Sequence, residues 1–237
     1  MTAPVPGHEE VARALAHVST LGRGFVIQPD SRPDGTPLGA ECADREAIEV
    51  RLAAAGASLG TNEQRVAASW VQYELAGRLL AILVGTWSYH RIVVDPAGFA
   101  VGADRDMWHL AAPRPRAWRP AGIPVDDIVR LVVEQLEVLH RALRAHTSIA
   151  EGLLWGNAAT SAARTLSGIT ETGPLARARA LVSSALEVDP LRHRLNGGLD
   201  GKTTRRSCCL YYRSNDPRPC GDCPLIDSTA ARIRRPV

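Results

Sequence analysis

Several kinds of residue and pattern are missing from this chain, and each absence narrows what it can be. No apolar run exceeds the six residues Leu79 to Val84, far below the ~20 needed to cross a bilayer as a helix. The first residues, MTAPVPGHEEVARAL, have neither a basic n-region nor an apolar h-region, so a secretory signal is not expected and a cytoplasmic protein is. Neither G-x-x-x-x-G-K-[ST] nor G-x-G-x-x-G occurs, H-E-x-x-H is also absent, and Gly56 to Gly60, which spells G-x-S-x-G, lies between two helix-forming stretches and not after a strand. Nucleotide binding, zincin chemistry and serine hydrolysis therefore have no local warrant. Lysine is nearly missing, with Lys202 alone among 28 basic side chains. Alongside the many alanines this bias points to a GC-rich genome and carries little mechanism. No internal repeat or low-complexity segment interrupts the chain.

What is present is enough for one full core. At 237 residues a chain buries roughly 70 to 75 per cent of its unfolded surface, and a single domain is the expectation. A helical pattern runs from Glu9 to about Val18, followed by a Gly/Pro-rich connector to Gly39, and helix formers return from Asp44 to Ala55. Thr61 with Gln64 fits a capping box, opening a long helix expected to end at Gly85. His90 to Asp95, Phe99 to Val101 and Met107 to Leu110 read as strands around the turn Pro96-Ala97-Gly98, giving a small antiparallel sheet or meander. Pro113 to Pro124, interleaved with arginines, reads as an irregular connector in which Trp108 and Trp118 could line a groove or simply pack.

After Pro124, Ile128, Leu131, Val132, Leu136, Leu139 and Leu143 recur every three or four residues, so they form the buried stripe of a helix that Asp126 and Asp127 open. His140 and His146 lie six apart and do not share a face, which argues against a metal pair. Helices are further expected from Ser148 to about Leu166 and from Pro174 to Val188, with Gly197-Gly198 as a break. The fold class is α+β, predominantly helical with a small antiparallel β-sheet. The chain divides into an N-terminal helical and loop region 1–57, a helical body 58–200 with the β-meander, and a C-terminal segment 201–237.

Four of the five cysteines fall in that last segment as Cys208, Cys209, Cys220 and Cys223. Thiolates at this density suit zinc or an iron–sulfur cluster, not magnesium, calcium or manganese. A zinc ribbon brings two Cys-x-x-Cys knuckles, and only one is present here. Adjacent cysteines in extended chain point to opposite faces, so both reach one site only if the chain turns or the site is broad. A [2Fe-2S] rhomb is broader than one zinc ion. No histidine follows His193, which disfavours a Rieske-type site. Cys42, alone in ECADREA, reads as a structural thiol.

The run SCCLYYR and, after a spacer, CGDCPL resemble the C-terminal signature of the FhuF-like ferric siderophore reductases. The Cys-Cys-x10-Cys-x2-Cys pattern matches in all four positions. The stretch Leu154-Trp155-Gly156-Asn157-Ala158-Ala159 and the helix-like Ala67 to Leu80 are also similar, so the likeness covers the chain from about Ser58. It implies a [2Fe-2S] cluster held by Cys208, Cys209, Cys220 and Cys223 in a C-terminal iron–sulfur-binding segment. It also implies one-electron reduction of a ferric siderophore, such as one of hydroxamate type, in the cytoplasm. Because the chain has no nucleotide motif, electrons would come from a separate ferredoxin or flavoprotein.

Residues 201–237 carry eight basic side chains against three acidic, while the remainder holds 20 against 22, close to balance. Arg205, Arg206, Arg213 and Arg218 surround the cysteines and are candidates for tuning the cluster or steering an anionic chelate. Trp155 and Asn157 are candidates for shaping the pocket, although helix packing accounts well for Trp155. Arg232, Arg234 and Arg235 form a basic tail. Two other readings stay open: a zinc-stabilised binding module whose tail contacts nucleic acid, and an iron–sulfur redox sensor. Nucleic acid is not the expected partner, because no recognition helix is evident near the cysteines.

Overall fold

The stretch Gln64–His90 buries side chains around most of its circumference, and a helix of that kind must be largely enclosed by others. It is α4, the fourth helix in chain order and the axis of the molecule. The computed structural model describes residues 5–28, 35–102, 108–199, 203–216 and 219–225. Around α4 pack α1 (His8–Ser19), α3 (Arg45–Leu59), α5 (Val125–His146), α6 (Glu151–Thr165) and α7 (Thr172–Ala185), while the short α2 (Leu38–Ala43) lies between α3 and α5. Val11, Leu15 and Leu38 from the first third share one buried core with Leu79, Leu136, Leu154 and Leu181. The fold is α+β and mostly helical. Among the described residues no helix is long and apolar enough to cross a membrane.

The helix boundaries follow local chemistry. Asp44 caps α3, its carboxylate accepting from the backbone N–H groups of Glu46 (2.8 Å) and Ala47 (3.1 Å). Gly56 does not stop α3, which runs to Leu59 and ends on Gly60 at φ 58°, with Thr61 N–H returned to the Gly56 carbonyl. That closure is a Schellman turn, which favours glycine at the left-handed position. The capping box expected at Thr61 and Gln64 does not form. Thr61 Oγ1 instead accepts from the nearby Glu63 N–H at 3.2 Å, a local bond that satisfies the hydroxyl before α4 begins.

Nor does α4 end at Gly85; it continues to His90 and stops at Arg91, φ 59°. Gly85 is there for packing. A Cβ on it would sit 2.8 Å from Val18 Cγ1 and 3.1 Å from Phe25, so its missing side chain lets α1 and the turn after it close against α4. In α5, all six residues of the expected stripe are buried.

The strands form two small antiparallel sheets ahead of α5. One has the order β1 (Thr36–Pro37), β3 (Ala100–Val101), β4 (Leu110–Ala111). In the other, β2 (Val93–Val94) pairs with β5 (Ala117–Trp118), registering Val93 with Trp118. The β3–β4 pairing agrees with the expected meander, of which Met107 lies outside the described residues. Two differences stand out: the Gly/Pro-rich connector supplies β1, and the Pro/Arg connector supplies β5. Pro37 is tolerated because β1 is an edge strand, where a missing N–H breaks no ladder bond. Trp108 is fully buried, its Nε1–H donating to the Val71 carbonyl at 2.9 Å, and so serves packing.

Candidate metal centre

The cysteine segment begins at a third antiparallel pair, β6 (Leu195–Asn196) with β7 (Thr204–Arg205), in which Leu195 registers with Arg205. The segment brings few apolar side chains of its own. Polar bonds and close backbone approach to α4 and α6 therefore have to position it. Ser207 Oγ donates to the Gly152 carbonyl at 3.3 Å, and a Cβ on Gly156 would lie 2.2 Å from that hydroxyl. Glycine in the LWGNAA stretch thus opens the surface of α6 to the residue preceding Cys208. Ser69 on α4 donates to the Cys209 carbonyl at 2.8 Å. Leu210 then turns the chain at φ 65°, Tyr211 stacks on Trp70 at 5.8 Å between ring centroids, and Asn215 N–H donates to the Leu59 carbonyl at 2.9 Å.

The sulfurs gather within this frame. Cys209 Sγ and Cys220 Sγ are 3.4 Å apart. The Cys208 thiol is raised, first by burial and then by its neighbours Cys209 and Cys223. Electrostatic contact therefore links Cys223 to Cys208, Cys208 to Cys209, and Cys209 to Cys220. Leu210 N–H donates to Cys208 Sγ at 3.3 Å and Leu225 N–H to Cys223 Sγ at 3.4 Å. A bond from Tyr211 N–H also favours the Cys209 thiolate. In the close pair, Cys209 is drawn down to about 6, chiefly by the hydrogen bond from Cys220 and further by the Arg205 charge, and Cys220 is raised by the same bond. The close approach thus favours one proton shared between the two sulfurs.

Arg205 organises the centre from below. It is 1 % exposed, one of the largest fully buried side chains. Its Nε donates to Asp222 Oδ2 at 2.8 Å and its Nη1 to Asn157 Oδ1 at 2.6 Å, while its backbone N–H donates to the Asp222 carbonyl at 3.0 Å. Asn157, itself fully buried, donates through Nδ2 to the carbonyl and the hydroxyl of Ser69, each at 3.1 Å. This chain of bonds joins both cysteine pairs, because Ser69 holds Cys209 and Asp222 lies between Cys220 and Cys223. Burial pushes the Asp222 carboxyl up, but the bond and charge of Arg205 outweigh it and hold the group below its ordinary range.

The other sequence candidates are placed differently. Arg206 donates to Asn196 Oδ1 at 2.8 Å on the hairpin, and Arg213 grips the Glu63 carboxylate at 2.6 and 2.7 Å ahead of α4. Neither lines the cleft onto which Cys209 and Cys220 open, a space of about 290 Å³ walled by Trp70, Tyr73, Arg164, Arg205 and Tyr211. Trp155 is buried edge-on against His140, ring centroids 4.5 Å apart, which is helix packing. Arg218 and the tail arginines Arg232, Arg234 and Arg235 lie outside the described residues. Cys42 is buried with its thiol pushed up to about 12 by that burial, as suits a structural role.

Asp222, Ser69 and Arg164 were not singled out from the sequence. Asp222 carried the one usable signal, being the only acidic residue within the Cys-x-x-Cys loop.

The donor set is chemically suited to a thiolate-ligated group. Soft sulfurs come as two pairs, N–H donors point at three of them, and one buried cation offsets the charge of bound thiolates. Among the described residues no three His, Cys, Asp or Glu side chains form a ready site for one metal ion. A two-iron cluster takes its thiolates in pairs, one pair per iron, and the close pair Cys209/Cys220 has that form. No protein-family model matches this chain, and no curated protein is significantly similar to it.

Proposed function

We propose that the protein is a ferric siderophore reductase, with Cys208, Cys209, Cys220 and Cys223 holding a [2Fe-2S] cluster. The observation that supports the reading is the close approach of Cys209 and Cys220 beside buried Arg205, within a Cys-Cys-x10-Cys-x2-Cys motif at whose sulfurs backbone N–H groups are directed. When bound, such a cluster supplies reversible one-electron transfer near the protein surface. The chain's own residues do the rest. Arg205 and the N–H donors of Leu210, Tyr211 and Leu225 stabilise negative charge on sulfur, and so favour the more negative, reduced state of the centre. Asn157, Ser69 and Asp222 hold Arg205 and both cysteine pairs in register.

The substrate is Fe(III) bound by hard oxygen donors. It accepts one electron, ultimately from a reductant of the ferredoxin or flavoprotein class, and becomes Fe(II). The lower charge density of Fe(II) weakens the iron–oxygen bonds, and the chelator takes up protons as the metal leaves. On this reading the protein works in the reducing cytoplasm, where thiols remain available as ligands.

The test is anaerobic purification with iron, acid-labile sulfide and zinc analysis, followed by visible spectra of the reduced protein before and after a ferric trihydroxamate is added. Equal iron and sulfide with reversible bleaching is expected. Zinc without a visible chromophore would overturn the proposal and favour a zinc-stabilised binding module. A cluster that ferric chelates never reoxidise would leave an iron–sulfur sensor.

A further inference from the structure

A second groove adjoins the cysteine cleft, and the sequence reading assigned it nothing. It measures about 600 Å³ and runs between α4, α6 and the turn following α1. Small-molecule sites occupy roughly 300 to 1,000 Å³. The two spaces share Trp70, Tyr73 and Arg164 in their walls, so those side chains separate the groove from Cys209 and Cys220. Three arginines line it, Arg23, Arg78 and Arg164, and among the described lining residues Glu74 is the one carboxylate.

The positions of these groups fit an anionic occupant. Arg78 is half-buried, and its Nη1 donates to the Arg23 backbone carbonyl at 3.4 Å. Burial draws this guanidinium down from its ordinary range, and the nearby Arg23 charge adds to the effect against the opposing pull of Glu74. A negative ligand would relieve both costs. Arg164 donates to the Tyr73 hydroxyl at 3.1 Å and stands 3.9 Å from Asp222 Oδ1, so it spans the groove wall and the cysteine loop. Ser161 lines the groove at 3 % exposure, and its hydroxyl has no hydrogen-bond partner among the described residues. Guanidinium forks match paired oxygen donors such as carboxylate, hydroxamate or catecholate.

We infer that this groove seats an anionic, oxygen-donor ferric chelate, held by Arg23, Arg78 and Arg164 against the Trp70–Tyr73 wall that divides it from Cys209 and Cys220. The inference rests on the reductase reading for the metal, and it adds the site and the charge class of the substrate. Fe(III) gains one electron in the groove, supplied through the centre by the ferredoxin- or flavoprotein-class donor, and the chelate's oxygens keep their donor electrons as the metal becomes Fe(II).

Gallium(III) separates binding from reduction, since it matches Fe(III) in charge and ligand preference but takes no electron under these conditions. The holoprotein is titrated with a trianionic gallium tris-catecholate and with a neutral gallium tris-hydroxamate, following tryptophan emission and heat. Wild type is expected to prefer the trianion. Arg78→Gln and Arg23→Gln should each weaken the trianion about tenfold, the size of one lost charge-assisted hydrogen bond, and the neutral complex less than about threefold. Glu74→Gln should tighten the trianion, an opposite sign that a folding defect would not produce. The visible spectrum of the centre should be the same in all variants. No binding of the trianion by wild type, or equal affinities across the variants, would overturn the groove assignment even if ferric chelates are reduced. Binding with the expected variant pattern, but no reduction of the matching ferric complex, would support the groove and remove the reductase reading.

Discussion

Replacing Asp222 by asparagine tests whether Arg205 holds the cysteine loop onto the helices. The substitution keeps the shape and one acceptor oxygen but removes the charge that faces Arg205 Nε at 2.8 Å. The side chains are 2 % and 13 % exposed, so solvent replaces little of the lost interaction. Breaking a buried ion pair costs ~3–5 kcal/mol, and the remaining amide oxygen places this case near ~3 kcal/mol. Asp222 belongs to the Cys220–Cys223 turn and not to a helix, so the cost should fall on docking of that turn. At 1.36 kcal/mol per decade, ~3 kcal/mol raises the open fraction about 10²-fold. Native-state hydrogen exchange reads this directly. The amides of Arg205, which donates to the Asp222 carbonyl, and of Cys223, which donates to the Cys220 carbonyl, should exchange about 10²-fold faster. Amides in the middle of α4 and α5 should keep their rates. Unchanged exchange at Arg205 and Cys223 would refute the anchoring role, and equal acceleration everywhere would refute the separation of loop from scaffold.

Acid should act through the same bond. The Asp222 carboxyl is held below its ordinary value of 3.8 in the folded protein, so its contribution is complete above that value and lost as pH falls through the folded value. Exchange at Arg205 and Cys223 should thus stay slow down to about pH 4 and accelerate below it. His140 gives a second, higher window: burial, with Arg144 nearby, lowers it from 6.5 to about 3, and neither ring nitrogen has a hydrogen-bond partner among the described residues. The unfolded chain binds the extra proton first, so stability should fall as pH drops from 6.5 toward 3, by at most ~1.4 kcal/mol per pH unit. His140→Leu should flatten that slope in urea unfolding measured at pH 5 and pH 7.5, and an unchanged slope would show that the imidazole is already charged. Gly60→Ala places a Cβ 1.7 Å from Asn215 Nδ2 at φ 58° and should cost at least ~1 kcal/mol, read as a lower melting temperature with faster exchange at the Asn215 amide.

The sequence was most legible where one local rule decides the outcome. The α5 stripe follows from three-and-four spacing alone, and Asp44 sits where a capping carboxylate belongs. The cysteine spacing singled out the segment in which Cys209 and Cys220 come together. Legibility failed where a distant contact overrode the local signal. Gly85 resembles a helix stop until Val18 and Phe25 are seen filling the space its missing side chain leaves. Thr36–Pro37 and Ala117–Trp118 resemble connectors because a two-residue strand has no period to detect. Arg205 is one of several arginines in the sequence, yet its neighbours Asn157 and Asp222, from α6 and the second cysteine pair, make it an internal strut. Arg23, Arg78 and Arg164 come from three separate segments, and only the packing of α6 on α4 brings them together.

The way the centre is supported distinguishes it from a module that folds around its metal. In small zinc domains the binding free energy is the folding free energy, because few other contacts define the backbone. Here the frame exists on the protein side. Ser69, Gly152 and Asn157 belong to helices whose apolar faces are buried independently of the cysteines. The cysteine segment borrows its conformation from α4 and α6 through polar bonds, each worth only about 1 kcal/mol net when both partners are neutral. Those bonds act together with the Arg205 ion pair, so removing any one loosens the sulfurs without unfolding the scaffold. Such an arrangement would suit the proposed redox centre, which cycles between charge states. On that reading the helices would keep the N–H donors and Arg205 fixed while charge on the sulfurs changed, which would limit the reorganisation each electron requires.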